Sequence, residues 1–188
     1  KELENLDKIL NRFSDESEIS KINTAAYQQP VQVSAELWKI ITDCKKYHEL
    51  TYGLFDVTLH NFELVEFNSE AQTIFFKEED VSLDFGGYAR GYALEKLKKI
   101  IAEAKIYQAF LNFGNSSICC IGTHPLGDNW SVGIVNPYNT EQTLGELQLK
   151  NMCLSVSGNT PHNRKHIVQP LTRKYLDSKR IMCVSAGN

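Results

Sequence analysis

Apolar residues recur at helical spacing in three stretches of this chain and cluster in short runs elsewhere, which divides it into helices and strands. Leu3, Leu6, Ile9, Leu10 and Phe13 form an opening amphipathic pattern that predicts a helix ending near Phe13. A polar turn at 14–18 leads into Ile19-Ser20-Lys21-Ile22-Asn23. Ser34 is a good N-cap for a second helix carrying Leu37, Ile40, Ile41, Cys44 and Tyr47, closed by Gly53. Runs at 73–77 and 81–85 flank Glu78-Glu79-Asp80 and predict a hairpin. Leu94, Leu97, Ile100, Ile101 and Ala104 then make one apolar stripe on a third helix. Runs at 109–113 and 117–121 meet across Gly114-Asn115, a second hairpin, so that 73–121 reads as a ββαββ unit. Further strands are expected at 130–135, 144–149, 152–156, 166–168 and 181–184. Strands that meet as hairpins, punctuated by helices, predict an α+β fold with antiparallel sheets and packed helices.

The junction before the third helix carries the strongest chemical signal. An extended run ends in Gly86-Gly87 and passes at once into the helix. Glycine lets backbone N–H groups approach a ligand, and the unpaired donors of a first helical turn suit a phosphate. Arg90 adds a positive charge in that turn and Asp84 a carboxylate just before it. The same residues also suit a plain turn that uses glycine for its shape.

Composition narrows the classes. The 188 residues, 42% hydrophobic, can bury a core in one domain, read here as spanning 1–188. A net charge of −3 argues against a general nucleic-acid binder. No run approaches a membrane span and no secretory core is present. The chain opens directly in an amphipathic pattern, as if cut within or just before a helix. Five cysteines, at 44, 119, 120, 153 and 183, lack C-x-x-C and zinc spacing and read as core residues, a disulfide being possible but not indicated.

Three further clusters have chemical potential. Leu54-Phe55-Asp56-Val57-Thr58 places a carboxylate and a hydroxyl after the helix-ending Gly53, either as a site or as a solvated turn. Ser155-Val156-Ser157-Gly158-Asn159 runs into a small-residue turn. His166, in Lys165-His166-Ile167-Val168-Gln169-Pro170-Leu171-Thr172, has a side chain suited to proton transfer or to starting a strand.

Taken in order, these pieces resemble the FAD:protein FMN transferase family, the ApbE family, formerly called thiamine-biosynthesis lipoproteins. The matching strings are Phe13-x3-Ser17-Glu18-Ile19-Ser20-x-x-Asn23, Gly53-x-Phe55-Asp56-x-Thr58, Asp84-x-Gly86-Gly87-x-Ala89-Arg90-Gly91-Tyr92-Ala93, Ser157-Gly158 and His166-Ile167-x-x-Pro170-x-Thr172. The resemblance runs from Phe13 to the last residue and implies a T-fold-related α+β domain. It implies that FAD is split, FMN is attached through its phosphate to a Thr or Ser of a target redox flavoprotein, and AMP leaves. By the same resemblance Phe13, Leu54, Phe55, Asp56 and Asp84 contact FAD, and Arg90 neighbours its phosphates. Gly87 offers a carbonyl to Mg²⁺, and His166 with Ile167 lies at the reacting end, His166 as catalytic residue. The family further implies an exported protein of the cell envelope or periplasm, touching membrane only through a lipid anchor.

Departures from the family pattern accompany the match. Arg90 replaces the common Lys, and Glu95 a frequent Asp. Gly114-Asn115-Ser116 stands for Gly-Gly-Asp, Gln169 for the Asp of His-Ile-x-Asp-Pro, and Arg173 for the Gly after Thr172. The family's Asp-Ala-x-x-Thr segment, which supplies metal side chains, is not in the sequence, so the expectation is a domain truncated at both ends without a full Mg²⁺ site. A divergent member that binds FAD without transferring FMN is the alternative expectation.

Overall fold

The computed structural model describes residues 1–161 and 167–187, which divide into two compact units. Residues 1–89 with 168–174 make the first, and 90–167 with 175–188 the second.

In the first unit, α1 (Glu2–Leu10) and α2 (Glu18–Ala25) precede the short strand β1 (Val31–Gln32). The longest helix, α3 (Ala35–Leu50), follows, and then the hairpin β2 (Val65–Asn68) and β3 (Thr73–Phe76). Ser17 caps α2 by accepting from the Ser20 N–H, and Ser34 caps α3 by accepting from the Leu37 N–H, both at 3.2 Å. Glu18 ties the two caps together, its carboxylate accepting from the Ser34 N–H at 2.5 Å and hydroxyl at 2.7 Å. Ile19, Ile22, Leu37, Ile40, Ile41, Ile74 and Phe76 are the buried core of this unit. Their positions on α2, α3 and β3 carry the 3.6 and 2.0 periods of the two element types.

The expected hairpin of 73–77 with 81–85 does not form. β3 instead lies between β1 and β2, and residues 81–85 belong to no strand and join no sheet. Their backbone is satisfied by a side chain: Asn23 accepts from the Leu83 N–H at 2.8 Å and donates to the Leu83 carbonyl at 3.0 Å. The Asp84 N–H reaches the Val57 carbonyl at 2.7 Å. An asparagine amide can imitate one residue of a neighbouring strand, because it carries both a donor and an acceptor. The ββαββ reading of 73–121 therefore loses its second strand. The opening helix also stops at Leu10, three residues short of Phe13.

In the second unit, α4 (Ala89–Glu103) leads to β4 (Ala109–Phe113) and β5 (Ser117–Ile121), the expected hairpin. Gly114 and Asn115 both take left-handed backbone, φ 60° and 58°, as that turn requires. The ribbon β6 (Trp130–Asn136) and β7 (Asn139–Leu149) follows, then β8 (Met152–Gly158). Two short strands, β9 (Val168–Gln169), which belongs to the first unit, and β10 (Lys174–Tyr175), at the boundary between the units in the chain, precede β11 (Ile181–Gly187). The main sheet has the order β11-β8-β5-β4 with antiparallel neighbours. Its Ile118, Cys120 and Leu154 pack against Val132 and Leu149 of the ribbon. The stripe expected on α4 is only partly buried: Leu94 is covered, whereas Ile100 is exposed and Ala104 lies beyond the helix end. The α+β architecture is as the sequence predicts.

Candidate active site

The loop after α3 is where the first site residues converge. Tyr52 and Gly53 turn the chain through positive φ, 53° and 79°, and the Gly53 N–H closes on the His48 carbonyl at 2.9 Å. The Phe55 backbone is then held from both sides. Its N–H donates to the Thr51 hydroxyl at 2.9 Å, and its carbonyl meets His48 Nδ1 at 3.0 Å. Leu54 is left 59% exposed, and the Phe55 ring stands edge-on to Tyr47 at 6.1 Å between centroids.

Asp56 acts within the turn as well as on its surface. One of its oxygens accepts from both the N–H and the hydroxyl of Thr58 at 2.7 Å. The Thr58 hydroxyl, only 6% exposed as a residue, accepts in turn from the Asn61 N–H at 2.7 Å. The Asp-x-Thr string is thus a hydrogen-bonded lock, and the carboxylate's second oxygen is what it has left to offer a ligand.

Asp84 sits at the end of the Asn23-supported segment. Its Oδ1 accepts from the Gly86 N–H at 2.8 Å and its Oδ2 from Arg12 at 2.6 Å. A Cβ on Gly86 would lie 3.1 Å from Oδ1, so the carboxylate and the diglycine turn depend on one another. Arg12 also lies over the Phe13 ring, 4.8 Å from its centroid. A cation–π contact and an ion pair therefore bring Phe13 and Asp84 together on one guanidinium. Phe13 itself is 85% exposed, with the Arg12 guanidinium over its ring. Gly87 lies beside Phe55, since a Cβ there would come 3.9 Å from Phe55 Cε2. Just beyond, Tyr88 donates to Asp43 at 3.1 Å, and Asp43 also accepts from Lys39 at 2.6 Å. Burial and the Asp43 carboxylate push the Tyr88 phenol above its usual range. Burial pulls Asp43 upward, but Lys39 and Tyr88 outweigh it and hold the carboxyl below the usual 3.8.

Phe13, Leu54, Phe55, Asp56, Asp84 and Gly87 all belong to the first unit, which links Phe13 to Asp84 and Phe55 to Gly87. Arg90 and Ile167 belong to the second unit. Arg90 donates to the Ser116 hydroxyl at 2.6 Å, so two departures from the family pattern, Lys to Arg and Asp to Ser, touch each other. The Ile167 carbonyl accepts from the Leu176 N–H at 2.8 Å. His166 lies outside the described residues. Arg173, where the family has Gly, takes φ 56° and donates to the buried Asn61 at 3.1 Å. Sequence reasoning missed Arg12, His48 and Thr51. A cation adjacent to an aromatic and polar residues one helical turn before a glycine cap are the signals that mark them.

Among the described residues no group of three His, Cys, Asp or Glu stands together as a metal site. Both Asp84 oxygens have donors, and one carbonyl from Gly87 does not make a coordination shell for a hard cation. The described residues do not fit Mg²⁺ by themselves.

The model of the ApbE family matches residues 1–181. The FAD:protein FMN transferase of Chlamydia muridarum is 25% identical over 90% of this chain and 62% of its own length. That of Klebsiella pneumoniae is 21% identical, with coverages of 80% and 57%. The chain thus spans about three fifths of these curated relatives. The solved flavin transferase ApbE from Vibrio cholerae superposes with a TM-score of 0.79 at 16% identity, over 97% of this chain and 69% of that one. The ApbE protein of Thermotoga maritima superposes at 0.75 with 21% identity, over 88% and 62%. At such identities the solved structures speak for the fold.

Proposed function

This chain belongs to the ApbE family, and from that premise we propose that it is the flavin-nucleotide-binding part of an FAD:protein FMN transferase. The observation that carries the reading is that positions which the family resemblance assigns to FAD and its metal fall in the first unit as two linked pairs, Phe13 with Asp84 and Phe55 with Gly87. Arg12 holds Phe13 and Asp84 together, and the fixed Phe55 loop lies against Gly87. The exposed Phe13 ring and Leu54 offer apolar surface to the ring systems of FAD, while the Asp84 and Asp56 carboxylates orient its polar groups.

In the proposed reaction the acceptor Thr or Ser hydroxyl of a redox flavoprotein attacks the phosphorus on the FMN side of the pyrophosphate. A phosphoester forms, the pyrophosphate P–O bond breaks, and AMP leaves. His166 takes the hydroxyl proton, and Arg90 supplies positive charge toward the phosphates. Arg90 would exchange its Ser116 contact for a phosphate contact that is charge-assisted and stronger. Mg²⁺ belongs to the proposal by family resemblance; when bound it would neutralise the pyrophosphate. An exported location, with a lipid anchor as the membrane attachment, is proposed on the same resemblance.

The test is incubation with FAD, Mg²⁺ and a Thr-bearing acceptor flavoprotein, with the acceptor's intact mass and free AMP read together. An FMN adduct with AMP in equal amount is expected. FAD binding with neither product overturns the transferase reading. In protein that makes the adduct, His166→Ala lowers transfer about 10²–10⁴-fold while FAD affinity changes little, since a general base contributes in the transition state. Full activity in a folded His166→Ala variant removes the catalytic assignment.

A further inference from the structure

Two cysteines of the second unit face one another across neighbouring strands. Cys119 in β5 and Cys153 in β8 are register partners in the antiparallel ladder, as are Ser117 with Ser155 and Ile118 with Leu154. The Val156 N–H donates to the Ser116 carbonyl at 2.8 Å, which makes 116/156 a hydrogen-bonded pair. Such pairs alternate along an antiparallel ladder, so 118/154 is hydrogen-bonded and 119/153 is not. Partners at a non-hydrogen-bonded position have Cα atoms about 4.5 Å apart and their side chains closer together. A disulfide spans Cα separations of about 4.4–6.8 Å. The two thiols already hydrogen-bond to each other.

Cys120 and Cys183, in the same sheet, are turned away from this pair. Cys120 points to the opposite face of the sheet, where it packs with Ile118, Val132 and Leu154. Cys183 is the register partner of Val156, an odd number of residues from Cys153 and so on the other face of the sheet. Cys44 lies in α3 of the first unit. Lys98 of α4 lies near both Cys119 and Cys153, its ammonium held by Glu95 at 2.8 Å.

We infer that Cys119 and Cys153 are a thiol–disulfide exchange site, closed to an intramolecular cross-strand disulfide by a small-molecule disulfide of the glutathione type. Cys153 is the sulfur of entry, being partly exposed where Cys119 is fully buried. Its thiolate attacks one sulfur of the oxidant, the oxidant's S–S bond breaks, and one small thiol departs with a proton. Cys119 then attacks the Cys153 sulfur of the mixed disulfide and expels the second small thiol. Two protein thiols are oxidised and one small disulfide is reduced to two thiols. Burial and the Cys153 hydrogen bond push the Cys119 thiol up to about 12, and Lys98 pulls against them. Buried and seldom ionised, Cys119 does not meet the oxidant first and makes only the second, intramolecular attack.

The experiment equilibrates the protein in buffers of oxidised and reduced glutathione, quenches by alkylation, and maps linked peptides by mass. Oxidation should remove two of the five thiols and yield a 119–153 cross-link. The closed loop carries the whole β6–β7 ribbon, so the thermal midpoint should rise by about 5–15 °C. Cys119→Ser should stop at glutathione on Cys153, and Cys120→Ser should oxidise as the parent does. Retention of all five thiols in excess oxidised glutathione overturns the inference, as does linkage to Cys120 or Cys183. A Cys119→Ser protein that takes no glutathione overturns the assigned order of attack.

Discussion

Asn23, Thr51, Asp56 and Thr58, all in the first unit, each use a side chain to satisfy the backbone of another residue. In the second unit β4, β5, β8 and β11 satisfy one another backbone to backbone along a ladder. A ladder bond is indifferent to which side chain it carries, so many sequences can form it. A side-chain bond demands a particular donor or acceptor at a particular place. The first unit should therefore tolerate little change at its irregular turns, and the second should tolerate much on its exposed strands. The proposed flavin contacts concentrate where backbone is fixed by side chains, because irregular backbone supplies the turns and close approaches that regular elements lack.

The largest effect that would sharpen this contrast comes from Thr58→Val. Valine keeps the shape but removes the hydroxyl that donates to Asp56 and accepts from Asn61. Leaving buried groups without partners costs about 1–3 kcal/mol each, so a loss of about 2–4 kcal/mol is expected in urea unfolding. A loss below 0.5 kcal/mol would mean that the turn is held by something else.

Asp84→Ala follows. It frees Arg12 from its ion pair and removes the cap on the Gly86 N–H. If this carboxylate orients FAD, affinity measured by calorimetry should fall by about 1–3 kcal/mol. Unchanged affinity in a folded variant would detach the nucleotide from this side of the first unit.

How far each unit was legible follows from the same contrast. The α3 helix could be read from Ser34, its apolar stripe and Gly53, and β4–β5 from alternation around Gly114-Asn115, because those signals are local. Residues 81–85 misled because their strand-like composition is satisfied by the amide of Asn23, sixty residues earlier in the chain. The site strings were readable as residue types, but their bonding was not. Nothing in Asp56-x-Thr58 announces that the pair closes on itself, and nothing local joins Arg12 to Asp84 across 72 residues. Ile100 misled in the other direction, since helical spacing predicts a buried face whether or not a partner covers it.

A pH-dependent effect of about 1 kcal/mol is expected for Tyr88→Phe, which removes the phenol that donates to Asp43 beside the diglycine turn. Asp43 is held below its usual value despite the opposing pull of burial, with Lys39 and Tyr88 lowering it. Its contribution is therefore full above the unfolded value near 3.8 and is lost as pH falls through the lowered one. The gap between parent and variant should be constant from pH 7 to pH 5 and narrow below about pH 4. A gap that persists unchanged to pH 2 would assign the cost of Tyr88→Phe to packing alone.

The smallest expected effect is the reverse exchange of the first. Val184 lies in β11, opposite Ser155 of β8, and is 60% exposed. Val184→Thr adds a hydroxyl where water can reach it and keeps the β-branch that suits a strand. The ladder bonds of β11 belong to the backbone and survive the exchange. Urea unfolding should move by less than about 0.5 kcal/mol, the usual range for surface changes that break no specific feature. The same two side chains, exchanged in opposite directions, would then differ several-fold in cost between the units. A comparable cost at both positions would show that the second unit also depends on specific side chains, and the distinction between motif-bound and pattern-bound halves would fail.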